Sequence, residues 1–445
     1  LIGAAATATL TGGVGATRAA ASAPPPPTDL GAPTSELTAA DADAWLDGLL
    51  PSAIDRAGIA GAAVTIVRDG EIVSNRGYGV SDVSEQTPVD PDETLFRVGS
   101  VSKLFTATAV MQLVEQGRVD LDVDVDEYLD FDIPRRFAEP ITLRTLLTHT
   151  AGFEERIRGL ISFETGGSLR DDLATDPPEQ QFEPGTTPSY SNYGNALAGY
   201  IVERVGGQPF AEYVDENVVR AAGMDSSTFE QPLPAGFESR MSQGYPDDTA
   251  EPVPFELVSA APAGALSATS SDMARFMIAQ LGDAQDGRGI LQPDTLEQLQ
   301  APGLEADTLG AFADGPRMTL GFFDETRNGT RIVGHGGDTT VFHSHLQLYP
   351  DDATGIFVTF NSTGRDGIET LELRDAVMHG FSDRYFPGSG ADAPVEKSAQ
   401  SHAALAEGTY QSTRLPYSTF ASAIGLTGQT SVVSQPDGSL LVTPG

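Results

Sequence analysis

Ser100 and Lys103 stand three residues apart in Gly99-Ser100-Val101-Ser102-Lys103, at the head of an apolar stretch, Val101 to Leu113, that reads as a helix. That spacing is one helical turn, so the hydroxyl and the amine share a face. A hydroxyl at a helix N-terminus beside a buried amine is a workable nucleophile and base: burial loosens the lysine proton, and the N-terminal dipole favours the negative charge that develops. Ser102 points elsewhere, which leaves Ser100 as the nucleophile. Lysine is otherwise almost absent, since Lys397 is the only other one in 445 residues. A lysine kept in such a chain suggests a task that arginine cannot perform, such as giving up its proton.

Two further clusters could complete such chemistry. Tyr190-Ser191-Asn192 follows the turn Glu183-Pro184-Gly185 and precedes a helical pattern from Asn195 to Val205, which places Tyr190 and Asn192 on a loop just before a helix. A tyrosine near a lysine ammonium can act as general base, and an asparagine two residues on can hold a substrate carbonyl. Gly334-His335-Gly336-Gly337-Asp338 ends a strand read at 331–333. Glycines beside an edge strand let a substrate backbone approach, and a strand N–H can form an oxyanion hole with the N–H of Ser100. His343 and His345 fall on one strand face. The pair has no obvious third ligand, and no metal or other cofactor is expected; metal-dependent hydrolysis through His335, His343 and His345 would be chelator-sensitive.

The elements that must position these residues follow from periodicity. Ala42, Trp45, Leu46, Leu49, Leu50 and Ile54 recur at helical spacing, and apolar runs at 62–67 and 72–75 flank Asp69-Gly70, a hairpin signal. Helices broken by Gly/Pro loops occupy about 100 to 280. Strands resume at 318–324, 331–333, 342–349 and 356–360, followed by a helix at 371–378. This is an α+β pattern, one sheet whose N- and C-terminal pieces meet, with a helical lobe inserted and a crevice between the lobes for a site.

Composition narrows the function. The chain carries 26 Lys plus Arg against 63 Asp plus Glu, a net charge of -37, and no cysteine. Such a surplus repels phosphate backbones and anionic membranes, so nucleic acid is excluded as a partner. Thiolate nucleophiles and cysteine-zinc sites are excluded too. The acid is spread along the chain, at Asp120, Asp122, Asp124, Asp171 and Asp351 for example, as a solvent-facing coat suited to high salt. Residues 1–35 read as the remnant of a secretory signal followed by a Pro-rich linker, which implies an extracytoplasmic location. A domain at 36–387, a linker at 388–398 and a partial β-rich segment at 399–445, continuing past Gly445, complete the division. No run of about 18 apolar residues occurs.

In family order, Gly99-Ser100-Val101-Ser102-Lys103, Leu146 to Phe153, Tyr190-Ser191-Asn192, Ala222 to Thr228, Pro262 to Thr269 and His335-Gly336-Gly337 make the sequence resemble the serine β-lactamase-like superfamily. Within it, the similarity is to the class C β-lactamase, D-alanyl-D-alanine carboxypeptidase and esterase branch, from about Leu37 to Phe386. The resemblance implies a central antiparallel sheet flanked by helices with an inserted all-helical lobe. It implies a serine hydrolase that works through an acyl-enzyme on a small ester, amide or peptide. Ser100 would be the nucleophile, with Lys103 and Tyr190 sharing the proton traffic and Tyr190 as the favoured base. Asn192, His335, Gly336 and Gly337 would bind substrate, and the N–H groups of Ser100 and Asp338 would hold the oxyanion. His335 departs from the lysine of penicillin-active members, which counts against efficient β-lactam hydrolysis. Gly408-Thr409-Tyr410 and Arg414-Leu415-Pro416-Tyr417 resemble a subset attached to a membrane through a further C-terminal region. The competing reading is a ligand-binding or sensor domain that turns over slowly or not at all.

Overall fold

The computed structural model describes residues 35–156, 158–163, 167–282, 289–304, 317–388 and 398–443. The signal-like residues 1–34 and nearly all of the 388–398 linker therefore lie outside the described residues. The first helix, α1 (Ala39–Ala57), starts where the Thr38 hydroxyl accepts the Asp41 N–H at 3.2 Å and stops at Gly58, whose φ of 70° is left-handed. Its apolar stripe packs on the sheet. The hairpin β1 (Gly61–Arg68) and β2 (Glu71–Asp82) turns through Asp69 and Gly70 at φ 51° and 77°, which is why this dipeptide closes it tightly.

One seven-stranded sheet forms the centre. Besides β1 and β2 it holds β3 (Thr87–Pro88), β4 (Phe323–Asp324), β5 (Val333–Asp338), β6 (His343–Tyr349) and β7 (Thr354–Phe360), in the order β3-β2-β1-β7-β6-β5-β4 with every pairing antiparallel. The N-terminal strands meet the C-terminal ones at β1–β7, with Val64 opposite Val358. On one face, α1 and α5 (Glu369–Tyr385) bury Leu46, Leu50, Val64, Ile356, Val377 and Phe381. On the other lies the helical lobe, built around α2 (Ser102–Glu115), α3 (Asn192–Gly206) and α4 (Ser270–Gln280). Helix α2 is buried on all sides from Ser102 to Leu113, with Phe105 stacked on Phe276 at 3.9 Å between ring centres. Two of its buried threonines find partners inside: Thr106 donates to the Pro262 carbonyl and Thr108 to that of Leu104, both at 2.7 Å.

Two strand expectations change. The strand read at 318–324 contracts to Phe323–Asp324, because Thr319 and Phe322 close a tight turn through Gly321 at φ 110°. The strand read as ending at Val333 instead begins there and runs through the glycines. Gly334, His335, Gly336 and Gly337 lie opposite Gln347, Leu346, His345 and Ser344. Pairing with a buried neighbour overrides the weak strand preference of glycine.

The C-terminal segment forms a short helix, Ala399–Leu405, and a three-stranded sheet of β8 (Gly408–Tyr410), β9 (Thr430–Ser434) and β10 (Leu440–Thr443). No helix among the described residues is long and apolar enough to cross a membrane.

Candidate active site

Ser100 lies in the single 3-10 turn Gly99–Val101 that leads into α2, two residues before that helix begins at Ser102. Gly99 permits this with a φ of 55°, in the left-handed region. The Ser102 hydroxyl donates to the Gly99 carbonyl at 2.6 Å and accepts the Leu266 N–H at 3.1 Å, so it is spent holding the turn. Ser100 is partly exposed, and its Oγ stands 3.0 Å from the Lys103 amine.

Lys103 is fully buried. Its Nζ lies 2.8 Å from Asn192 Oδ1 and 2.7 Å from the Ala263 carbonyl, two atoms that only accept. A neutral amine can satisfy both with its two hydrogens and turn its lone pair to the Ser100 hydroxyl. Burial pushes the Lys103 pKa well below the usual lysine range; the nearby Arg414 charge adds to this and Glu155 opposes it.

Tyr190 precedes α3, and Asn192 is the first residue of that helix, where a loop position was expected. Ser191 is the cap, accepting the Gly194 N–H at 3.1 Å, so the single residue between tyrosine and helix is held in place. The Lys103 amine lies 4.9 Å from the Tyr190 ring centre. Burial raises the Tyr190 pKa above its ordinary value, against the charge of Arg414 and a hydrogen bond with Ser100, which lower it. The tyrosine therefore keeps its proton at neutral pH. Phe323 stacks on Tyr190 at 6.3 Å, and His335 lies 4.9 Å from Phe323, giving the site an aromatic wall.

Strand β5 brings the third cluster against the Ser100 turn. A Cβ on Gly337 would stand 2.0 Å from the Val98 carbonyl oxygen and 3.1 Å from the Ser100 nitrogen; one on Gly99 would stand 2.6 Å from the Asp338 nitrogen. The nitrogens of Ser100 and Asp338 thus border one narrow seam that only glycine leaves open. Because β4 pairs only with Val333 and Gly334, the outer edge of β5 from His335 to Asp338 is not covered by another strand among the described residues. His335 is buried, with Nδ1 2.5 Å from the Gly336 carbonyl, and its pKa is pushed down to about 3 by burial and then by the Lys103 charge. It is neutral at pH 7.

The two strand histidines, His343 and His345, do not converge with it. His335 lies opposite Leu346 on the helical-lobe face, whereas His343 and His345 lie opposite Phe360 and Val358 on the face covered by α1 and α5. There His343 Nδ1 meets Asp338 Oδ1 at 2.8 Å, and His345 Nε2 meets Glu325 at 2.9 Å. The Asp338 carboxylate also accepts from Arg374 at 2.8 Å. Burial alone would raise its pKa, but the His343 hydrogen bond and the Arg374 charge hold it down to about 2. The histidine pair is thus bound up behind the sheet.

Three residues that the sequence reading did not single out for this site also reach it. His149 Nδ1 accepts the Ser191 N–H at 3.2 Å, and its ring lies 4.2 Å from that of Tyr190. Its pKa is driven well below the usual value by burial and then by the charges of Lys103, His335 and Arg414. The buried Glu155 carboxylate faces the Asn192 amide at 3.4 Å. Arg414, from the C-terminal segment, places its guanidinium 4.2 Å from the centre of the Tyr190 ring and its Nε 2.7 Å from Glu155. His149 lies inside the Leu146 to Phe153 motif and could have been flagged there.

A family model described as Beta-lactamase matches residues 46–378. Among curated proteins, the chain is 32% identical over 254 residues to the putative penicillin-binding protein PbpX of Bacillus subtilis (strain 168), covering 55% of this chain and 60% of that one. It is 26% identical over 330 residues to protein flp of Staphylococcus aureus (strain MW2), covering 72% and 63%. The chain therefore spans less than two thirds of the length of these relatives. Among solved structures, the octameric penicillin-binding protein homologue from Pyrococcus abyssi superposes with a TM-score of 0.62 at 22% identity, over 91% of this chain and 90% of that one. SurE gives 0.65 at 24%, over 91% and 86%. The β-lactamase/D-alanine carboxypeptidase from Pseudomonas syringae gives 0.59 at 22%, over 76% and 97%. These likenesses show the fold.

Proposed function

The chain belongs to the Beta-lactamase family and has its serine-hydrolase fold, and from that premise we propose that it hydrolyses a small ester, amide or peptide through an acyl-enzyme on Ser100. The observation that carries the reading is the fully buried Lys103 amine, 3.0 Å from Ser100 Oγ and held by two acceptors. In its neutral form it takes the Ser100 proton as Oγ attacks the substrate carbonyl carbon. The N–H groups of Ser100 and Asp338 receive the oxyanion, which collapses as the leaving group departs. Tyr190, protonated and beside Lys103, supplies the proton to that leaving group. This proposal gives Tyr190 the acid's part in acylation, where the resemblance implies the base. The same pair run backwards activates water and frees the acid.

Neutral His335 offers no permanent charge to a substrate carboxylate. This favours esters and amides over β-lactams. The aromatic wall of Tyr190, Phe323 and His335 supports an apolar group at the reacting centre.

Purified protein and its Ser100→Ala variant, assayed on p-nitrophenyl esters and labelled with a fluorophosphonate, test the reading. Turnover and labelling should both fall to background in the variant. Undiminished hydrolysis in Ser100→Ala would remove Ser100 from the mechanism. A stoichiometric burst without turnover would instead assign a ligand-binding or sensor role.

A further inference from the structure

Residues 412–418 fall beyond the stretch matched by the family, 46–378, yet they lie against the catalytic lobe. The Ser189 hydroxyl donates to the Thr413 carbonyl at 3.1 Å, and the Thr413 hydroxyl donates to that of Pro188 at 2.5 Å, directly before Tyr190. The Glu155 N–H donates to the Leu415 carbonyl at 3.2 Å, and Tyr417 meets Phe182 edge-on at 5.8 Å. Two consecutive carboxylates, Glu154 and Glu155, are only 3% and 4% exposed. Carboxylates so buried need partners, and this segment supplies them. The Ser418 N–H and hydroxyl serve Glu154, at 2.7 Å for the N–H, beside the Glu179 N–H at 3.3 Å, and Arg414 serves Glu155.

A continuous polar chain results. It runs from Arg414 to Glu155, from Glu155 to the Asn192 amide, and from the Asn192 carbonyl to the Lys103 amine. With Nδ2 turned to Glu155, Asn192 must present Oδ1 to the lysine. The same guanidinium covers the Tyr190 ring.

We propose that Arg414 is a positioning residue for the reaction: a strap from the C-terminal segment sets a permanent cation against Tyr190 and, through Glu155, fixes the Asn192 carboxamide that orients the Lys103 amine. This rests on the serine-hydrolase reading above. The charged and titratable groups around this centre are Lys103 on α2, His149 and Glu155 on the segment after Leu147, His335 and Asp338 on β5, and Arg414 on the strap. Arg414 and Glu155 act on Lys103 and Tyr190 in opposite senses. The cation favours the deprotonated forms and the carboxylate the protonated ones.

The test is the pH profile of kcat/KM for a neutral p-nitrophenyl ester, measured on the full chain and on Arg414→Met, Arg414→Lys and Glu155→Gln. The acidic limb, which reports the base becoming competent, should move up by about one pH unit in Arg414→Met, roughly a tenfold loss below the limb. It should move down in Glu155→Gln and stay near the parent in Arg414→Lys. A purely structural strap would lower the rate without moving the limbs in opposite directions, and limbs unmoved in both variants overturn the proposal. So does a loss confined to KM for carboxylate-bearing substrates, which would make Arg414 a substrate contact. If the unaltered chain shows no Ser100-dependent turnover, the hydrolase reading fails first. Fluorophosphonate labelling and thermal unfolding of each variant separate that case from misfolding.

Discussion

Gly336 and Gly337 are neighbours on one strand, yet alanine should be tolerated at the first and ruinous at the second. At Gly337 the new Cβ would lie 2.0 Å from the Val98 carbonyl oxygen, with the Val101 and Ser100 nitrogens at 3.0 and 3.1 Å. All three are backbone atoms, so no side chain can swing aside. Restoring an ordinary contact of about 3.4 Å requires β5 and the Ser100 turn to separate by roughly 1.4 Å. That movement carries the Asp338 nitrogen away from the proposed oxyanion position. Loss of one such donor costs about 10²–10³ in kcat, and a misplacement of about 1 Å costs about 10². At Gly336 the nearest atoms to a new Cβ belong to the Arg374 guanidinium at 3.9 Å, on the opposite face, and the backbone is not in the left-handed region. Gly336→Ala should therefore keep kcat/KM within about threefold, while Gly337→Ala should lose about 100-fold or more and about 1–3 kcal/mol of stability. Steady-state ester hydrolysis with thermal unfolding of both variants decides it. Equal effects in the two variants would refute the seam between β5 and the Ser100 turn.

Two further outcomes follow from charge. His335, held at about 3, refuses a proton that the unfolded chain takes up near pH 6.5, so its stability contribution is complete above pH 6.5 and is lost as pH falls toward 3. His149 acts in the same direction. Between pH 6.5 and 4.5, above most of the carboxylate range, His335→Asn should flatten the fall in unfolding free energy by about 1.4 kcal/mol per pH unit, measured by denaturant titration; an unchanged slope would mean His335 is charged in the fold. We also propose that the acidic coat suits concentrated salt. With 63 acidic against 26 basic residues, Tm should rise with KCl and level near 1 M, where the screening length falls to about 3 Å; a flat or falling Tm would refute it.

What was legible in the sequence is what is local. The hairpin at Asp69-Gly70 and the one-turn spacing of Ser100 and Lys103 each depend on a few consecutive residues, and the ordered motifs carried the family and its sheet. Strand β5 was misplaced because its ladder depends on β6, not on its own glycines. The participation of Arg414 was not legible for a stronger reason. Its ion pair joins residues 259 apart in the chain, and neither partner sits in a periodic pattern that announces it.

That long-range pair bears on why position 335 is a histidine here. In the proposed mechanism Lys103 must be neutral, and a second buried amine on β5 would share one proton with it instead of leaving Lys103 as the single titrating amine. A histidine in that position stays uncharged, as does His149, so neither adds a permanent charge beside Lys103. The cation arrives instead from the rim as Arg414, partly exposed and offset by Glu155, where its desolvation cost is smaller than that of a charge inside the lobe. Its field still reaches both Lys103 and Tyr190. An arginine cannot surrender its proton at any working pH, so the division of labour is stable: one permanent charge on the strap, one titrating amine at the serine.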